Sequence, residues 1–358
     1  MQIDFHHGVT YVLARLSGFQ HKEAEIVAYC AQYVDDATNS GTIMFDNGAL
    51  YSRISSAHKM IDYRNTVQLE NHHVWLPFHF LPGNGGKPAG ENPTGTFIEK
   101  IRCNPNSHIA RDMVKACIDD KNTLYGLHRL GITMHVYADT WAHQGFAGVV
   151  HPTNKVEIVT DGPQDESSWG KVKQFIMKIA VFFTGDVLPL GHGSALTNPD
   201  QPYLQWKYRR NGAIVERDNA SDFIEASEEM CKAMRRFQAG NANADVAGLT
   251  KDQKSLLRNK FESIRDESGE DRHKKWLNAI AKGELGFPPV QLEYKDKGIG
   301  SWKHQAIGTE KLFDTPTDRY SYNHSFLSSN WKLFHDALIA HRFTVIHDIL
   351  PKYGICAA

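Results

Sequence analysis

Residues His135 to His143 read His-Val-Tyr-Ala-Asp-Thr-Trp-Ala-His, setting an imidazole, a carboxylate and a second imidazole four residues apart. Positions i, i+4 and i+8 of an α-helix turn by only about 40° each, so His135, Asp139 and His143 share one face. Such a stripe is suited to holding metal. The histidines would lie about 12 Å apart along the axis, too far for one ion with bonds of about 2 Å. Asp139 sits between them. The economical arrangement shares its carboxylate while His135 and His143 reach different ions, as in two-metal hydrolases.

The competing account is a polar stripe on a solvated helix. Against it, Leu124, Leu127, Leu130, Ile132, Met134, Val136, Tyr137, Trp141 and Phe146 make the segment apolar nearly all round, the pattern of a helix enclosed by others. A buried imidazole or carboxylate needs a partner, which either a metal or a hydrogen-bond network supplies. His128, seven residues before His135, reads as a ligand, as a donor behind one, or as a helix-end histidine.

Ligands from separate elements must complete such a site. Asp4 and His6 precede the first helix, either as terminal decoration or docked with the ligands. Asp35 and Asp36 close a helix whose apolar face is Ile26, Val27, Cys30 and Val34; acids there oppose the helix dipole, which points to a compensating cation. His79 lies in an apolar stretch, as a core histidine or a ligand. Gly191 and Gly193 leave backbone room around His192. Asp200 follows in a Pro-Asp turn, where an ordinary turn role is the stronger explanation. The doublets His335-Asp336 and His347-Asp348 read as ordinary residues of the last helix.

The 358 residues carry a formal net charge of −1, so no global field steers nucleic acid to the chain. Cys30, Cys103, Cys117, Cys231 and Cys356 are scattered without a Cys-x-x-Cys pair, leaving coordination to imidazole and carboxylate. Neither a secretory signal nor a membrane-spanning run is apparent, and a cytoplasmic location is the expectation.

Helical patterns dominate. Residues 10–16 and 22–34 read as an antiparallel pair broken near Gly18, 39–95 as long loops with room for one hairpin, and 107–118 and 123–143 as helices. Further helices are expected over 167–183, 221–237, 251–265, 271–281 and 326–350. The organisation expected is one mainly α-helical domain over 1–358, with 218–285 as a candidate peripheral insertion.

The His135-x-x-x-Asp139-x-x-x-His143 helix, the upstream Asp35, His79 between them and the later Gly191-His192-Gly193 loop resemble, in order and type, the zinc-dependent phospholipase C and single-strand nuclease superfamily. Met1 to His6, Gln32 to Asp36 and His135 to Phe146 look like an uncharacterised bacterial family, a distant branch of it. The resemblance implies an all-α fold and a zinc cluster in which Asp139 bridges ions and a phosphodiester is hydrolysed. Three departures stand out. Secreted members use a freed N-terminal amine, a place that Asp4 or His6 would fill here; the last ligand of the central helix usually falls later than His143; and the residue four after His192 is Leu196, where an acid is usual.

The expectation is therefore a metal-dependent hydrolase of a phosphate ester, whether phosphodiester, phospholipid or nucleotide. Two or three zinc ions, or another divalent metal, would be held by Asp35, His79, His135, Asp139, His143 and His192, with Asp4 and His6 as further ligands. Asp139 and Asp36 carry the catalytic expectation, Asp36 as general base. The alternative is a helical metal-binding or structural protein without turnover.

Overall fold

A computed structural model describes residues 1–58, 68–159 and 191–357; the helix expected over 167–183 lies outside the described residues. The chain opens with a π-helical turn, Asp4–Val9, that runs into α1 (Thr10–Leu16) and then α2 (His21–Asp36). A hairpin of β1 (Gly41–Met44) and β2 (Leu50–Arg53) leads to α3 (Gln68–Phe78), α4 (Ile98–Ile101), α5 (His108–Asp119) and α6 (Gly126–Ala142). β3 (Glu157–Val159), β4 (Gln205–Arg210) and β5 (Ala213–Asp218) form an antiparallel sheet. There follow α7 (Asn219–Ala239), α8 (Lys251–Ser263), α9 (Gly269–Ala281), α10 (Trp302–Ile307) and α11 (Asn330–Phe343).

The axis of the molecule is α6. Every residue from His128 to Ala142 is buried, with α2, α5, α7 and α11 packed around it. The crossing with α2 is backbone on backbone: a Cβ at Gly131 would stand 2.4 Å from the Val27 carbonyl oxygen and 2.5 Å from the Cys30 Cβ. Only glycine admits so close an approach. It brings the C-terminal end of α2, with Asp35, against the ligand face of α6.

The expected all-α class is corrected. About 52% of the chain is helix and 8% strand, with two small antiparallel sheets, so the fold is mixed α/β. The physical cause is plain in β4 and β5. Trp206, Tyr208 and Arg210 alternate inward, and the strands are joined by Asn211-Gly212, whose φ angles of 49° and 81° make the two-residue turn that tight hairpins favour.

The helices within 218–285 are built into the main core. Phe223, Met230 and Met234 of α7, Phe261 of α8 and Trp276 of α9 share one buried cluster with Phe5, Met134 and Trp141. A second cluster joins Tyr29, Tyr33, Trp302 and Phe334 to the β1–β2 hairpin, and a third seats Trp206 and Tyr208 against Phe80 and Phe146. Among the described residues no helix is long and apolar enough to cross a membrane.

Candidate metal centre

The ligand face of α6, with Asp139 at its middle and 1% exposed, meets groups from the N-terminus, the end of α2, His79, His192 and Asp200. Its Oδ1 lies 2.6 Å from the Met1 α-amine and 3.3 Å from His6 Nε2. Its Oδ2 lies 3.3 Å from His135 Nε2 and 3.6 Å from His79 Nδ1. Asp35, at the end of α2, places Oδ1 3.7 Å from His79 Nδ1 and 3.8 Å from His135 Nε2. On the far side, His192 Nε2 lies 3.9 Å from Asp200 Oδ2, and Asp200 Oδ1 is 3.3 Å from the Met1 amine.

These groups form three adjoining sets with ligand atoms close enough to hold an ion: His6, Asp35 and His135; His79, His135 and Asp139; and His143, His192 and Asp200. The spacing along α6 explains the partition. His135 serves one end and His143 the other, with Asp139 between them.

Backbone carbonyls decide which nitrogen each imidazole presents. His135 Nδ1 contacts the Ala31 carbonyl at 2.7 Å, His143 Nδ1 the His79 carbonyl at 2.7 Å, and His192 Nδ1 the Leu196 carbonyl at 2.9 Å. His79 is turned the other way, with Nε2 2.9 Å from the Ser56 carbonyl. Since a carbonyl only accepts, each of these nitrogens carries its proton, and the opposite nitrogen offers a lone pair to the cluster. This is how metal-binding histidines are oriented. His6 stacks on His135 with ring centroids 3.8 Å apart; Asp139 Oδ1 at 3.3 Å is the polar group facing its Nε2, neither ring nitrogen makes a well-formed hydrogen bond, and Nδ1 is buried without a partner. A buried imidazole left in that state fits a coordinated cation.

The electrostatics agree with a ligand set. Burial would raise the Asp139 carboxyl, but His143, the Met1 ammonium, His135 and His6 outweigh it and hold the group well below the usual range. Burial would lower the Met1 amine, yet Asp139 and Asp200 push it up to about 11. Burial drives His135 down to about 4 and puts His6 and His143 well below the ordinary imidazole value, so all three are neutral near pH 7. Asp35 is raised well above its usual value by desolvation and then by the Asp139 charge. A cation between the two carboxylates would remove that conflict. The donors are nitrogen and oxygen without sulfur, a set that suits zinc and other divalent ions.

Two expected residues lie elsewhere. Asp4 is buried, but its carboxylate pairs with Arg272, Oδ2 being 2.6 Å from Nε, because side chains two apart on a helical turn point in nearly opposite directions. Asp36 accepts hydrogen bonds from Gln32 Nε2 at 3.0 Å and the Tyr294 hydroxyl at 2.5 Å, which fixes the end of α2. His128 bonds with Asn330 of α11, away from the cluster.

Two groups enter unexpectedly. The Met1 ammonium donates to Asp139 Oδ1, while His6 itself joins Asp35 and His135 in a ligand set. Asp200, on the turn Asn198–Asp200, supplies the acid that is missing four residues after His192, from eight residues after it. A buried Asp in a turn bracketed by prolines was the available signal.

The family model of the family of unknown function DUF6765 matches residues 1–349, and the chain belongs to that family. No curated protein and no solved structure matches it.

Proposed function

We propose that this protein is a metal-dependent hydrolase of phosphate esters, with zinc as the ion at the His/Asp sets. The observation that carries the reading is Asp139, whose two carboxylate oxygens face different groups while histidines on either side belong to adjoining sets. Closely spaced ions supply one kind of chemistry above others: they lower the pKa of water and stabilise charge building on a phosphoryl group.

The residues of the chain do the rest. His79, His135, His143 and His192 present fixed lone pairs, so no imidazole has to rotate as charge shifts. Asp35 is the carboxylate of the cluster left open, its side chain 32% exposed. With Met1, Gln32 and Thr197 it lines a cavity of about 560 Å³ beside the centre, a volume that suits a small ester. Asp36 is engaged by Tyr294 and Gln32, which suits it to bracing Asp35 more than to taking a proton from substrate.

The test combines elemental analysis of protein purified without added metal with hydrolysis of bis(4-nitrophenyl) phosphate. The expected result is bound zinc and a turnover lost on chelation and in His135→Ala. Activity that survives either change refutes the assignment. Fully loaded protein that turns over no phosphodiester, phospholipid or nucleotide is a metal-binding protein without catalysis.

A further inference from the structure

A second cavity, of about 310 Å³, opens on the buried face of the β3–β5 sheet and is lined by Arg102, Arg210, Arg217, Gln144 and Tyr208 among others. Three guanidiniums around one space demand three anionic partners. Two are present. Arg102 pairs with Glu99, and Arg217 binds Asp222 at 2.8 Å while donating to the Trp141 carbonyl at 2.9 Å.

Arg210 has no such partner among the described residues. It is 9% exposed, and its Nε and Nη2 make no hydrogen bond. Its guanidinium carbon lies 4.7 Å from the Phe146 ring centroid and 5.1 Å from that of Tyr208. Rings satisfy the face of a guanidinium, but its N–H donors lie in the plane and remain unmet. A buried cation in that state is costly unless an anion completes it.

The surroundings make room for this group. Gly145 adopts φ +83°, and a Cβ there would stand 2.7 Å from Arg210 Nη1, so the glycine admits the guanidinium. Register sets the array: Tyr208 pairs with Val215 and Trp206 with Arg217, which places Tyr208, Arg210 and Arg217 on one face.

We propose that this cavity is a binding site for a phosphate-class oxyanion, free or as the end of a small organic ester, held by Arg210 with Arg102 and Arg217 adding to the field. A tetrahedral oxyanion suits it because several oxygens can meet donors arriving from different walls. Of the side chains named here, the two carboxylates are already paired, and the net excess is the single charge of Arg210. The site is separate from the metal ligands and does not depend on their reaction.

Equilibrium dialysis and thermal melts with inorganic phosphate, phenyl phosphate and benzoate test it on metal-loaded wild type and Arg210→Met. The expected result is one fewer phosphate bound per chain in Arg210→Met at unchanged metal content. In phosphate-free buffer the variant melts no lower than wild type, and phosphate then raises the wild type more. Phenyl phosphate binding tighter than phosphate assigns an ester; the reverse assigns the free ion. Should Arg210→Met fail to fold, Arg210→Lys keeps the charge, loses the planar fork and binds phosphate at least tenfold more weakly. Equal stoichiometry and affinity in the variant that folds, or benzoate outcompeting both phosphates at this site, overturns the proposal.

Discussion

Asparagine at position 139 preserves the side-chain volume while removing the charge on which the centre converges. The Met1 amine and the Asp139 carboxylate are 0% and 1% exposed and 2.6 Å apart. Breaking a buried pair from one side costs about 3–5 kcal/mol. The rise of the Met1 amine from 8.0 to about 11 leads to the same order, about 4 kcal/mol at roughly 1.4 kcal/mol per tenfold. Melting of metal-free Asp139→Asn should therefore fall by roughly 6 to 10 °C, taking about 2 °C per kcal/mol for a large domain. Metal affinity should fall further than the roughly 10- to 100-fold typical of residues behind a ligand. The assay is metal retained per chain after dialysis against graded chelator, with His128→Gln as control because His128 faces Asn330. Equal metal loss in the two variants, or full retention by Asp139→Asn, would show that the carboxylate is not at the centre of the site.

Asp4→Asn should lower stability by about 3–5 kcal/mol, since it strands the buried Arg272, yet leave the metal-to-protein ratio of the folded fraction unchanged; metal loss matching that of Asp139→Asn would return Asp4 to the cluster. Gly131→Ala drives a methyl group to 2.4 Å from the Val27 oxygen and should cost about 1–3 kcal/mol or more, read as a lower urea midpoint; an unchanged midpoint would mean that α2 and α6 do not cross there. In metal-free protein the Met1 amine has a folded pKa of about 11 against 8.0 unfolded, so its contribution is whole below pH 8 and is lost as pH rises from 8 to 11. Wild-type melting should decline across that window more steeply than that of Asp139→Asn, and parallel curves would refute the pairing.

The parts of the site legible in the sequence are those governed by helix periodicity or by chemical incongruity. His135, Asp139 and His143 lie on one helix, so spacing alone orders them. Asp35 at a helix end, His79 among apolar neighbours and His192 between glycines stand out by type, and the structure brings all three to the cluster. What escaped was long-range. The Met1 amine reaches Asp139, and Asp200 reaches that amine and His192, through tertiary packing that no local pattern encodes, while Asp4 was grouped with His6 by adjacency although the turn sends them apart. The β4–β5 hairpin is a different case, since Asn211-Gly212 between alternating residues is a local signal in a segment to which no element was assigned.

Asp4 and Arg272 are separated by 268 positions in the chain. At ribosomal rates of about 5–20 residues per second, roughly 13 to 54 s pass between the appearance of the two. During that interval the turn bearing His6 lacks its anchor, although α2 and α6 can already meet. An ion arriving early would find the centre without a fixed His6. The turn that carries His6 is thus anchored only once α9 has been made, and the set of ligands that His6 completes depends on that late contact.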